Sequence, residues 1–279
     1  MREFAKRTCM TAAAIGVLFG FFLFRGTAAG QLLLLALLQG VSLIALWEYR
    51  LLVQRKNLQT PYFLLASFSF VFLVLSYFVA RGCLPGSLLV APFLIYLLFL
   101  FYLRSKEHKG AIVYFALSSF PLLYIVLPTS SVLFLLYTPL GGGNSWFFYL
   151  IAVTKCSDIA AYLGGNALGR HPLSAKISPK KTQEGAGFGI LGALVCSLFL
   201  TYFAKSMPAF EGVSYLKGAL LGAFLALLGQ IGDLFESLLK RDAQVKDSNQ
   251  IRGIGGALDL IDSLLFTAPA LFCILWAMR

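Results

Sequence analysis

Apolar runs of about 20 residues, each closed off by basic residues or turn formers, recur along the whole of this chain. That is the length a helix needs to cross roughly 30 Å of hydrocarbon. The candidates span residues 8–24, 27–47, 61–80, 86–103, 111–128, 145–163, 187–204, 214–235 and 257–277. Of 279 residues, 59% are hydrophobic and 13% charged, with 26 Phe, more apolar surface than a soluble fold can hide. In lipid the backbone must satisfy its own polar groups, so the expected fold is all-α: a polytopic transmembrane helical bundle of about nine helices, with eight to ten compatible with the same pattern. The stretch 131–140, cut by Pro128 and Pro139, reads as a half-buried hairpin partner or an interfacial piece. Five cysteines without CxxC spacing read as small hydrophobes, not a disulfide or zinc framework.

The basic residues test this layout independently of hydropathy. They gather before the first run (Arg2, Lys6, Arg7) and after the second, fourth, sixth and eighth, leaving the other loops nearly bare. The positive-inside rule then puts a multi-pass protein in the cytoplasmic (inner) membrane, N-terminus in the cytoplasm and C-terminus outside. It also explains the net charge of +11 without nucleic acid as a partner. The basic N-terminus followed by an apolar run fits an anchor helix better than a signal peptide.

Acids are distributed unevenly. Asp inside a membrane helix costs about 2.5–3.5 kcal/mol, so such residues point to function. The first five runs contain no Asp, and their only acid near a segment end is Glu48. Asp158, Asp233, Glu236, Asp259 and Asp262 all fall in the second half, and the topology places them near one membrane surface. Residues 1–140 are therefore read as packing and lipid-facing helices. Residues 141–279 carry the catalytic helices and cytoplasmic phosphate-binding loops of one continuous membrane domain. Clustered carboxylates call for cations, and oxygen ligands beside phosphates point to Mg²⁺.

Two loops supply the complementary charge. One holds Gly164, Gly165, Gly169, Arg170, His171, Lys176, Ser178, Lys180, Lys181 and Thr182. The other runs from Ser237, Lys240 and Arg241 through Lys246 and Arg252 to Gly255 and Gly256. Glycines admit an anion close to backbone N–H groups, and Lys and Arg neutralise phosphate. Neither loop has the Walker A spacing. Plainer readings compete: Lys180-Lys181 and Lys240-Arg241 as topology signals or lipid contacts, Glu236 as the partner of Lys240 one turn on, Asp262 and Ser263 as a local hydrogen-bonded pair, and His171 and His108 as ordinary loop residues. Asp158, Asp233 and Asp259 are the hardest to explain structurally.

Ser237-Leu238-Leu239-Lys240-Arg241, then Lys246-Asp247-Ser248, then Gly255-Gly256-Ala257-Leu258-Asp259-Leu260-Ile261-Asp262-Ser263 closely resembles the signature of the phosphatidate cytidylyltransferase (CDP-diacylglycerol synthase) family. A second stretch is similar to the same family: Ser157-Asp158, Ala161-Tyr162, Gly164, Gly169, Ser178-Pro179, Lys181-Thr182 and Glu184-Gly185. The resemblance covers roughly residues 145–270. The chain departs from the family pattern in carrying Ile254 in place of a histidine and Leu260 in place of an arginine, in a segment one residue shorter, with Arg252 nearby.

The resemblance implies transfer of a cytidylyl group from CTP to phosphatidic acid, giving CDP-diacylglycerol and pyrophosphate with Mg²⁺ required. It assigns metal binding to Asp233 and Asp259, an active-site role to Lys240, and nucleotide binding to Ser178, Lys181 and Thr182. The residues add Asp158, Asp262 and Glu236 as groups that complete the site, and Ser237, Arg241, Lys246 and Arg252 as substrate contacts. Phosphatidic acid enters sideways from the cytoplasmic leaflet and CTP arrives through the polar loops. A homodimer is left open. Two rivals use similar residues: a CTP-dependent lipid kinase of the dolichol kinase type, and a transporter of anionic metabolites. Transporters place coupling residues near the midplane, whereas these acids crowd one surface.

Overall fold

The computed structural model describes residues 27–106, 109–138, 143–205, 210, 212–245 and 256–278. Among them are eight helical runs long and apolar enough to span a membrane. The ninth expected span, 8–24, lies outside the described residues. In chain order the helices are α1 (Ala28–Arg55), α2 (Tyr62–Ala80), α3 (Val90–Arg104), α4 (Ala111–Pro121), α5 (Leu127–Tyr137), α6 (Gly143–Leu168), α7 (Gln183–Phe203), α8 (Tyr215–Asp242) and α9 (Ala257–Ala277). A short hairpin of β1 (Pro172–Ser174) and β2 (Ser178–Thr182) joins α6 to α7.

The chain divides into two units. The first comprises Met1–Val79, Leu84–Leu127 and Ala243–Leu260; the second comprises Ala80–Cys83, Pro128–Asp242 and Ile261–Arg279.

In the first unit, α1 begins on Thr27, whose hydroxyl accepts the Gly30 N–H at 3.1 Å, and runs past the expected end at residue 47 to Arg55. Glu48 and Arg50 therefore sit within a helix. Ser42 and Ser69 hydroxyls bond at 2.9 Å between α1 and α2. Phe68 and Phe72 of α2 interlock with Phe93 and Tyr96 of α3, with ring centroids 4.9–5.2 Å apart across the helices.

The stretch 131–140 is neither a hairpin partner nor an interfacial piece as far as it is described. A π-helical turn, Leu122–Val126, links α4 to α5, and the helix continues to Tyr137 as a single 27-residue span. The break was expected at Pro128 and Pro139, because proline removes a backbone donor; the helix instead runs through Pro128, the second residue of α5, and Pro139 lies outside the described residues. Pro121 leaves the Leu117 carbonyl without its helical N–H, and the Tyr49 hydroxyl of α1 donates to it at 3.0 Å. Leu122 N–H bonds to the Ser119 carbonyl. The Ser118 carbonyl instead receives the Tyr96 hydroxyl of α3 at 2.8 Å. Neighbouring tyrosines thus satisfy the carbonyls, which is how a membrane helix survives proline.

In the second unit, small residues set how closely helices approach. A methyl at Gly222 of α8 would lie 2.5 Å from Ser197 Cβ of α7, so only glycine permits that crossing. Gln230 of α8 donates to the Ala186 carbonyl of α7 at 3.0 Å. The Tyr149 hydroxyl of α6 bonds Ser197 of α7 at 2.6 Å. Phe134 of α5 packs on Phe272 of α9, and Phe235 of α8 on Phe266 of α9.

Candidate active site

A strand points successive side chains to opposite faces, and this selects one lysine of two on β2. Lys180 is exposed, whereas Lys181 Nζ donates to Asp233 Oδ2 of α8 at 2.8 Å. Asp233 and Glu236 are one turn apart, and Glu236 Oε2 lies 2.7 Å from Lys240 Nζ one turn further on. That second pair is buried, with side chains only 2% and 7% exposed, so each charge depends on the other. Asp262 of α9 faces Asp233, with Glu236 also within electrostatic range. Its Oδ1 accepts the Ser263 N–H at 2.6 Å. From α6, Asp158 lies within electrostatic range of Asp233 and Lys181 and holds Lys155 at 3.1 Å.

Four expected acids and two expected lysines of the second unit therefore meet, together with Lys155. Gly232 makes the juncture of α8 and α9 feasible, because a Cβ there would strike the Asp262 carbonyl oxygen. Asp233 and Asp262 are consequently held next to each other by backbone contact. Two facing carboxylates repel, and Lys181 supplies a cation at that point.

The hairpin that presents Lys181 was expected only as a loop. Its register pairs Pro172 with Thr182 and Ser174 with Ser178. Glu184 clasps its base, accepting the N–H groups of Arg170 and His171 at 3.1 and 3.2 Å and meeting His171 Nδ1 at 2.6 Å. Thr182 caps α7, its hydroxyl accepting the Gly185 N–H at 3.1 Å, the stabilising arrangement for a helix start. Arg241 Nε donates to the Ile177 carbonyl at 3.1 Å, fastening the end of α8 to the hairpin turn. Ser237 is half-buried beside Glu236. Lys246 and Arg252 lie outside the described residues.

In the first unit, Asp259 is the third residue of α9 and reaches back to the Gly256 N–H at 3.0 Å, half of a capping box. Both carboxylate oxygens of Glu48 continue the cap, accepting the Ala257 and Leu258 N–H groups at 2.8 and 3.0 Å. Glu48 is 4% exposed. It thus fixes the start of the helix that carries Asp259 and Asp262 from 209 residues away. The sequence had shown it only as an isolated acid among apolar helices. Its partners are backbone groups, so no residue type announces them.

Among the described residues, no three acid, histidine or cysteine side chains converge into a metal-binding group. The donors present around Asp233 are carboxylate oxygens, the hard ligands that suit Mg²⁺, an ion that needs only one or two carboxylates when phosphate and water complete its shell.

A model of the cytidylyltransferase family matches residues 5–278, which is nearly the whole chain. The chain belongs to that family. Curated cytidylyltransferase relatives agree. A phosphatidate cytidylyltransferase of Chlamydia trachomatis is 36% identical over 219 residues, 74% of this chain and 71% of that protein. That of Chlamydia pneumoniae is 33% identical over 219 residues, 74% and 70% of the two chains. That of Bacillus subtilis is 42% identical over 134 residues, 48% of each. The expected family and the helical membrane fold are both borne out. The family match also extends through the apolar first half, where residue motifs gave no purchase.

Proposed function

We infer that this chain is an integral membrane nucleotidyltransferase that converts CTP and phosphatidic acid to CDP-diacylglycerol and pyrophosphate. The observation that carries the inference is the family match over residues 5–278, and the acids and lysines gathered in the second unit give it chemistry.

A phosphate monoester is largely dianionic at neutral pH, so its oxygen attacks without a general base. That oxygen bonds to the α-phosphorus of CTP, the bond from the α-phosphorus to the oxygen bridging it to the β-phosphorus breaks, and pyrophosphate leaves with the electron pair. The barrier is the approach of two anions. Lys181, half-buried and 2.8 Å from Asp233, is a cation able to transfer its hold to an incoming phosphate. Lys240, buried against Glu236, supplies a fixed positive charge, and Arg241 completes the phosphate contacts. Asp158, Asp262 and Glu236 set the local charge.

We assign Mg²⁺ to Asp233 and Asp259, on the strength of the resemblance and of the oxygen-only donors around Asp233. Bound there, the ion supplies electrostatic stabilisation of phosphate charge. Roles for Ser178, Thr182, Ser237, Lys246 and Arg252 in substrate binding belong to the same proposal, as do entry of phosphatidic acid from the cytoplasmic leaflet and the cytoplasmic N-terminus.

The test is purified protein with phosphatidic acid, Mg²⁺ and CTP labelled at either the α- or the γ-phosphorus. Label from the α position is expected in the lipid, and label from the γ position in pyrophosphate. Lipid labelled from the γ position would replace this reading with a lipid kinase.

A further inference from the structure

Helix ends in the first unit leave a hollow of about 500 Å³ whose residues have no part in the chemistry above. Arg50 of α1, Thr60 from the turn before α2, and Phe99 and Leu103 of α3 line it, together with Tyr62 and Phe63. The Arg50 guanidinium lies 5.0 Å from the Trp47 ring centre and 5.6 Å from that of Tyr62. The rings hold the cation by its charge, and no carboxylate pairs with it among the described residues. Thr60 also lines the hollow, and its Oγ1 is covered from solvent without a hydrogen-bond partner among the described residues, so a χ1 rotation that turns the hydroxyl into the hollow breaks no bond.

Depth and shape narrow the ligand. Trp47, Tyr62 and the exposed Tyr102 form an aromatic belt at these helix ends, the level at which lipid headgroups sit. Leu103 and, one turn deeper, Phe99 are 53% and 51% exposed, and Phe63 is 82% exposed, forming an apolar track leading from the hollow. Among the described residues no acidic side chain lines the hollow to receive the ammonium of a zwitterionic headgroup.

We propose that this hollow binds a non-reacting anionic diacyl phospholipid, its phosphate held by Arg50 and Thr60 and an acyl chain lying over Phe63, Phe99 and Leu103. The phosphate satisfies the guanidinium directly and the Thr60 hydroxyl once it turns into the hollow, while the chain covers aromatic surface.

The experiment is native mass spectrometry of the full chain in mild detergent, titrated with phosphatidylglycerol or with phosphatidylcholine of the same acyl chains. Wild-type protein should retain phosphatidylglycerol, and Arg50→Gln should weaken that retention at least about tenfold, the factor carried by one charge-assisted hydrogen bond. Thr60→Val, which keeps the side-chain shape, should weaken it a few-fold and keeps the proposal testable if the arginine variant does not fold. Neutralising the exposed Lys106 as Lys106→Gln should leave retention unchanged. The proposal fails if phosphatidylcholine binds wild type as well as phosphatidylglycerol does, if Thr60→Val or Arg50→Gln retains phosphatidylglycerol like wild type, or if Lys106→Gln loses as much as Arg50→Gln.

Discussion

Lys180 and Lys181 are the same residue type one position apart, yet the β2 pleat gives them unrelated surroundings, one in solvent and one on Asp233. If Lys181 steadies phosphate charge in the reaction, Lys181→Met should lower kcat/KM by on the order of a hundredfold, comparable to deleting one transition-state donor. Lys180→Met should stay within about twofold, as befits an exposed charge. Steady-state assays of both variants decide the matter, and equal losses would mean that the loop contributes only diffuse positive charge. The sequence singled out Lys181 by resemblance, but its acid partner was not legible there, because that partner depends on how a hairpin folds back over α8. Lys240 was legible: its pairing with Glu236 follows from helical spacing alone.

Helices in this chain are held by contacts that cross from one element to another through backbone groups, and these are what hydropathy reading misses. The run 111–137 looked divided at Pro128 because a lost donor is visible in sequence, while the ways a membrane helix absorbs proline, such as the hydroxyls of Tyr49 and Tyr96 beside Pro121, are not. Tyr49→Phe removes that donor with little change of shape, so it should cost about 1–3 kcal/mol, read as a lowered thermal midpoint in detergent. Glu48 acts likewise on α9. Replacing it with Ala strips two N–H groups of their acceptor and removes a negative charge from a helix start, a loss of about 1–2 kcal/mol, and kcat should fall with KM for CTP moving less. Glu48→Gln keeps one carbonyl acceptor and should recover part of both losses. If kcat is untouched in Glu48→Ala while stability drops, the cap serves folding alone and not the placement of Asp259 and Asp262.

At the scale of the whole molecule, the alternation of basic loops makes a claim that can be checked loop by loop. Spans were readable because each is a local sum of apolar residues, and their ends shifted where a helix such as α1 ran on beyond the apolar run. Orientation is encoded separately, in charge lying between spans. The turn after α2, with Cys83 exposed, falls on the side expected to face outward. The turn after α3, with Ser105 exposed, falls on the side expected to face the cytoplasm. In a variant retaining only Cys83, a membrane-impermeant maleimide added to spheroplasts should label the protein at once. With Cys83 also replaced and Ser105→Cys introduced, labelling should wait until the membrane is opened. The reverse pattern would invert the protein and place the acids of α8 and α9 on the face away from cytosolic CTP, which the proposed reaction cannot accommodate. Because the two turns are separated by a single span, agreement at one and failure at the other would instead show that the run 86–104 does not cross the bilayer.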